Sequence, residues 1–98
     1  MGKFRITCYC SACNSPKGSR ETASGATATA GTTVAVHPSL YQKNKSIHIE
    51  GIGDRLIQDK HGNSSNVIDV YVGECSRCTC SSHPYSGRVC EVQGLWIS

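Results

Sequence analysis

Apolar and polar residues alternate along most of this chain with a period of two. In Phe4-Arg5-Ile6-Thr7-Cys8-Tyr9 the apolar Phe4, Ile6 and Cys8 share one face, which predicts an opening strand. Thr32-Thr33-Val34-Ala35-Val36 is rich in β-branched residues and predicts a second strand. It should stop at His37-Pro38, because a residue before proline is pushed to extended geometry and proline has no N–H for the ladder. Pro38 to Tyr41 suits a single helical turn. Ser46-Ile47-His48-Ile49-Glu50 alternates with Ile47 and Ile49 inward, Gly51 to Asp54 turns the chain, and Arg55 to Asp59 carries it on as another strand. Asn66 to Val72 and Arg88 to Ile97 supply two more. No stretch sustains the period of about 3.6 that marks an amphipathic helix.

Between these strands lie two kinds of connection. Asn14 to Gly31 is mostly Ser, Gly, Ala and Thr, too poor in apolar surface for a core element, and is expected to form a long surface loop. Lys60 to Asn66 reads as a turn, which predicts that Asp59 and Asp69 lie on neighbouring strands, within reach of one ligand. Five or six short strands with Gly-rich turns predict a small barrel or sandwich. A barrel is favoured because so short a chain must hide its sheet edges. The sequence carries no internal repeat.

Composition narrows the classes of function. The 98 residues make one domain, 1–98, with a hydrophobic fraction of 38 % and a core that needs some cross-link to be secure. A net charge of +3 with scattered Lys and Arg offers no basic stripe for nucleic acid. No apolar run approaches the roughly 18 residues of a membrane span. The start, Met1-Gly2-Lys3-Phe4-Arg5, lacks a signal-peptide core, so any export is expected by another route or from a trimmed precursor.

Chemistry concentrates in two carboxylates and seven cysteines. Asp59 and Asp69 each interrupt an apolar, strand-like run, where an ionised side chain is costly unless it is paired, hydrogen-bonded or open to a cleft. A carboxyl in apolar surroundings, or beside a like charge, has the raised pKa that a proton donor requires. An aspartate late in a strand also serves as a turn cap or as a partner for arginine. Cys8, Cys10 and Cys13 are mirrored by Cys75, Cys78 and Cys80, with Cys90 further on. Such spacing suits one structural zinc held by a subset of these thiolates, with Cys90 or His83 able to complete the tetrahedron. Three disulfides and one free thiol are the alternative.

Several short segments together carry a family resemblance. Thr22-Ala23-Ser24-Gly25, Val34-Ala35-Val36-His37-Pro38, Ile49-Glu50-Gly51-Ile52-Gly53, Gln58-Asp59 followed by Gly62, and Ile68-Asp69-Val70-Tyr71 resemble, in order and spacing, the "3D" domain named for three aspartates. The resemblance runs from about Ile6 to Val72. It implies an all-β fold, a small six-stranded double-psi β-barrel with long Gly/Ser/Thr-rich loops. Its relatives would be the membrane-bound lytic transglycosylases and, more distantly, barwin, expansins and family-45 endoglucanases. The implied partner is the glycan strand of bacterial peptidoglycan. Carried over by position, Asp69 is the acid/base and Asp59 its companion, while Thr22, Ser24, His37 and Tyr71 are candidate substrate contacts. His37 stands where the family has its first aspartate, and the second cysteine cluster also departs from the family pattern.

The expected function is therefore cleavage of peptidoglycan in the manner of a lytic transglycosylase or muramidase. One alternative is a glycan-binding module that cuts nothing. Another is a small metal-binding phage or bacterial protein on the same barrel.

Overall fold

The computed structural model describes residues 2–10, 22–62, 64–73 and 85–94. Six strands follow in chain order: β1 (Gly2–Tyr9), β2 (Thr33–Val36), β3 (Ser46–Ile49), β4 (Gly53–Lys60), β5 (Val67–Tyr71) and β6 (Val89–Gln93). A single 3-10 turn, Pro38–Leu40, follows β2 where proline ends the strand. The strands close into a barrel in the order β1-β5-β2-β4-β3-β6, so each is paired on both sides and no edge is left open to another chain. Closure is the barrel solution expected of so short a chain.

The barrel is mixed. β1 runs parallel to β5 and β2 parallel to β4, while β5 with β2, β4 with β3, β3 with β6 and β6 with β1 are antiparallel. Exchanging β1, β2 and β3 for β4, β5 and β6 preserves every one of these pairings and its direction. The topology thus has a pseudo-twofold axis although the sequence has no repeat. This arrangement is compatible with a double-psi barrel.

Aliphatic side chains fill the interior by simple alternation. Ile6, Val34, Val36, Ile47, Ile49, Ile57, Ile68, Val70 and Val92 are all at most 2 % exposed and form one cluster. β3 alternates exposed and buried as a strand with one face to water should, with Ile47 and Ile49 inward. β2 is buried at all four positions, so its outer face is covered too. The cover is the segment before β2: Ala28 packs with Tyr9, Ala35 and Tyr71 in a second apolar cluster on the outer wall. The site is built on that wall.

Tight turns close the structure. In the β3–β4 hairpin Gly51 (φ 83°) and Gly53 (φ 119°) take up left-handed backbone that a residue with a Cβ would strain. Gly94, just after β6, is required for a different reason: a methyl group there would lie 2.6 Å from Ile47 Cγ2. Ile47 is β-branched and buried, and has no cheap rotamer to retreat into. Gly94→Ala is expected to cost about 1–3 kcal/mol by overpacking. Urea denaturation measures this, and an unchanged midpoint would show that the β3–β6 contact tolerates a methyl group.

Candidate active site

Register places the two aspartates in one row. Thr7 on β1 pairs with Asp69 on β5, Asp69 pairs with Ala35 on β2, and Ala35 pairs with Asp59 on β4. β4 and β5 are therefore not neighbours, as the short turn between them had suggested. β2 lies between them, and the two aspartate Cα atoms stand two strand spacings apart, about 10 Å. Ala35 is the only residue between them in the row, and its small side chain, 2 % exposed, is covered by Ala28, Tyr9 and Tyr71.

Asp59 reaches this face through a break in alternation. Val34 pairs with Ile57 but Ala35 pairs with Asp59, so Gln58 is an extra residue in β4. In an unbroken strand Asp59 would share the face of Ile57 and point into the aliphatic core. The shift re-aims it to the outer wall, as bulges beside functional sites commonly do. Gln58, 8 % exposed, is held by Thr33, whose hydroxyl donates to its Oε1 at 2.7 Å, and its own Nε2 donates to Asn44 Oδ1 at 3.3 Å.

The two carboxylates have different surroundings. Asp69 is half-buried, and Thr7 Oγ1 donates to its Oδ1 at 2.9 Å. Its Oδ2 accepts no hydrogen bond among the described residues. Burial pushes the Asp69 pKa up, the Thr7 hydrogen bond and the nearby His61 oppose this, and Asp59 adds to it. Asp59 Oδ1, in contrast, accepts backbone N–H bonds from Ala23 at 3.1 Å and from Lys60 at 2.9 Å. Tyr9 Oη donates to Asp59 Oδ2 at 3.5 Å, a weak contact. Burial, then the charges of Asp59 and Asp69, drive the Tyr9 pKa far above its ordinary value, so the phenol stays neutral and stays a donor. Its ring meets Tyr71 edge to face at 5.1 Å between centroids.

The remaining sequence candidates divide between the site and its supports. Thr22 and Ser24 bond to each other at 2.9 Å, and Thr22 Oγ1 also donates to the Ala26 carbonyl at 2.7 Å, so both hydroxyls shape the loop. That loop is docked on β4 through Ser24 N–H to the Gln58 carbonyl at 3.0 Å and Ala23 N–H to Asp59. His37 caps the 3-10 turn, its Nδ1 accepting from Ser39 N–H at 3.1 Å. Its ring lies 6.5 Å from that of His61, edge to face. His61 Nε2 in turn donates to the Val67 carbonyl at 2.6 Å, beside the start of β5. Tyr71 is buried in the outer-wall cluster.

The cysteine readings need correction. Cys10 is disulfide-bonded, to a cysteine outside the described residues, so its sulfur is not available here as a zinc thiolate. Cys8 and Cys90 are thiols, which leaves the seven cysteines room for two disulfides at most rather than three. Cys13, Cys75, Cys78, Cys80 and His83 lie outside the described residues. Among the described residues no group of three or more His, Cys, Asp or Glu side chains could hold a metal ion.

Thr7, Tyr9, Ala35 and Gln58 were not among the candidates read from the sequence. Alternation did place Thr7 and Tyr9 opposite Ile6, but only the parallel β1–β5 register shows that Thr7 meets Asp69. Comparison of the chain with protein-family models, with curated proteins and with solved structures finds no match.

Two outcomes follow from this geometry. Because the folded-state pKa of Asp69 is raised, its protonated form is favoured by folding. That contribution is complete below the unfolded value near 3.8 and is lost as pH rises through the folded value. At neutral pH the ionised group is therefore a cost, and Asp69→Asn, which keeps an acceptor for Thr7, is expected to raise the urea midpoint at pH 7. The gain should shrink as the solution is acidified. A lower midpoint at pH 7 would refute the desolvation argument. Separately, a thiol count on denatured, unreduced protein is expected below seven, and a count of seven would rule out the Cys10 bridge.

Proposed function

We propose that this chain is a glycan-cleaving barrel of the lytic transglycosylase type, with Asp69 as its single acid/base and peptidoglycan as its substrate. The observation that carries the reading is the contrast between the two carboxylates. Asp69 has a raised pKa and, among the described residues, one oxygen without a hydrogen bond, whereas Asp59 spends Oδ1 on the backbone N–H groups of Ala23 and Lys60. A hydrolase needs a second carboxylate to activate water or to form a covalent intermediate. A transglycosylase does not.

In the proposed reaction protonated Asp69 gives its proton to the glycosidic oxygen as the C1–O bond breaks. The hydroxymethyl oxygen of the same sugar attacks C1, and its proton passes to the Asp69 carboxylate, which restores the acid. No water is consumed and the product is an anhydro sugar. Thr7 fixes the carboxyl through Oδ1 and leaves Oδ2 to face the substrate. The choice of peptidoglycan, and the double-psi and 3D-domain assignments with it, rest on the resemblance of Ile68-Asp69-Val70-Tyr71 and the segments before it. Asp59 becomes the residue that clamps the Thr22–Ala26 loop beside the reacting group rather than a second catalyst.

A second reading, a glycan-binding module without activity, is favoured by one feature. His37, at the position of the family's first aspartate, is committed to capping the Pro38–Leu40 turn.

Mass spectrometry of purified peptidoglycan incubated with the protein separates the readings. An anhydro-muramyl end is expected. Asp69→Asn should reduce its yield by about 10²–10⁴-fold, the usual worth of a general acid. A reducing end instead would mean hydrolysis, and no product at all would favour the binding module. Asp59→Asn is expected to act mainly through the loop, lowering activity less than Asp69→Asn does.

A further inference from the structure

A second row lies beside the aspartate row on the same outer face, two residues along each strand. Arg5 on β1 is in register with Val67 on β5, while His37 follows the last residue of β2 and His61 the last residue of β4. Val36 and Lys60 are in register, and the ladder runs on past them, since His61 N–H donates to the Val36 carbonyl at 3.0 Å. Alternation therefore returns His37 to the face of Ala35 and His61 to the face of Asp59. Val67 shares its face with Asp69, two residues and roughly 7 Å further along β5.

The two imidazoles are not equivalent. His37 Nδ1 accepts from Ser39 N–H at 3.1 Å, so that nitrogen carries no proton, and a doubly protonated His37 would have to give up its cap. His61 Nε2 meets the Val67 carbonyl at 2.6 Å, and a carbonyl oxygen can only accept, so Nε2 carries a proton in the neutral ring and in the charged one alike. A second proton on His61 leaves that bond in place. The tether holds the ring at the start of β5, two residues before Asp69. Among the described residues, the titratable or charged groups around it are His37 after β2, its ring centroid 6.5 Å away, Asp69 on β5, Asp59 and Lys60 on its own strand, and Arg5 on β1 beside Val67. Lys60, on the other face by alternation, turns its Nζ to the Tyr41 ring, 4.7 Å from the centroid. Burial raises the Asp69 pKa, and after the Thr7 hydrogen bond the His61 charge is the next influence against it.

We propose that His61 is a positioning residue for Asp69, fixed by the Val67 carbonyl and presenting to the aspartate row a positive charge that acid switches on. With that charge present an ionised Asp69 is stabilised, and without it the protonated carboxyl is favoured. In the transglycosylase reaction the working acid is protonated Asp69, so the His61 charge bounds the pH range of cleavage from its alkaline side. In return it stabilises the carboxylate left behind once the proton has been given to the glycosidic oxygen. The consequence for cleavage rests on the transglycosylase reading, but the coupling of His61 to Asp69 does not.

The test follows the Asp69 carboxyl carbon by ¹³C NMR as the whole protein is titrated with no glycan present. In the wild type the Asp69 signal is expected to show a second, smaller inflection at the pH where the His61 ring signals change, as coupled groups do. His61→Gln, whose amide N–H can still reach the Val67 carbonyl, should remove that inflection and move the Asp69 midpoint to higher pH. His61→Arg, which keeps its charge throughout, should leave the midpoint at or below the wild-type value. A wild-type Asp69 curve with no inflection shared with His61, a midpoint that His61→Gln leaves in place or lowers, or a rise with both variants, which is what a merely structural role would give, would each overturn the proposal. With peptidoglycan, the alkaline limb of the cleavage profile should move to higher pH in His61→Gln. Failure here and failure of the enzymatic reading are distinguishable. Asp69-dependent cleavage with an Asp69 titration indifferent to His61 overturns only the coupling, and an Asp69 titration that responds to His61 in a protein that cleaves nothing overturns only the catalysis.

Discussion

A barrel closed from six short strands has an interior packed with apolar side chains, and an ionised group cannot share it. Every polar function of this chain must therefore be placed on the outer wall, and the register shift at Gln58 is what achieves this for Asp59. With the shift, Thr7, Asp69, Ala35 and Asp59 form a row across four strands on one face. Without it, the same sequence would drive a carboxylate between Ile57 and the core. Thr33 and Asn44, which satisfy the displaced Gln58 side chain, belong to the site as much as the aspartates do.

Burial raises the Asp69 pKa, and on the same wall the segment before β2 packs Ala28 against Tyr9, Ala35 and Tyr71. That cover is itself held down by Asp59, through the Ala23 N–H, and by the buried Thr33 hydroxyl, which accepts from Thr29 N–H at 2.9 Å. Asp59 thus helps to hold the cover on the wall that also carries Asp69, and its charge acts on Asp69 directly.

Much of the strand content was legible because alternation is a local property. Ile47 and Ile49 inward, the stop at Pro38 and the strand carrying Asp69 all follow from neighbouring residues. What could not be read was pairing. The turn after Asp59 implied that β4 and β5 are adjacent, yet β2 enters between them, because each strand of the pair finds its parallel partner elsewhere in the chain. The same non-locality hid Thr7 and Tyr9: nothing within the opening strand says which strand will lie beside it.

The cysteines show where spacing stops being informative. Cys8-x-Cys10-x-x-Cys13 matches zinc ligation as well as it matches bridges, and the distinction lies in which sulfurs meet in space. Along β1, Cys8 pairs in register with Val70 and Cys10 lies just past the strand end, so one residue of separation takes the chain from within the sheet to beyond it. The two sulfurs therefore have different roles, a thiol at Cys8 and a bridge at Cys10. A bridge at the end of β1 ties down the strand that carries both Thr7 and Tyr9. Such a bridge stabilises the fold as a whole, by taking loop-closure entropy out of the unfolded chain, and the strand it ends is the one whose Thr7 donates to Asp69.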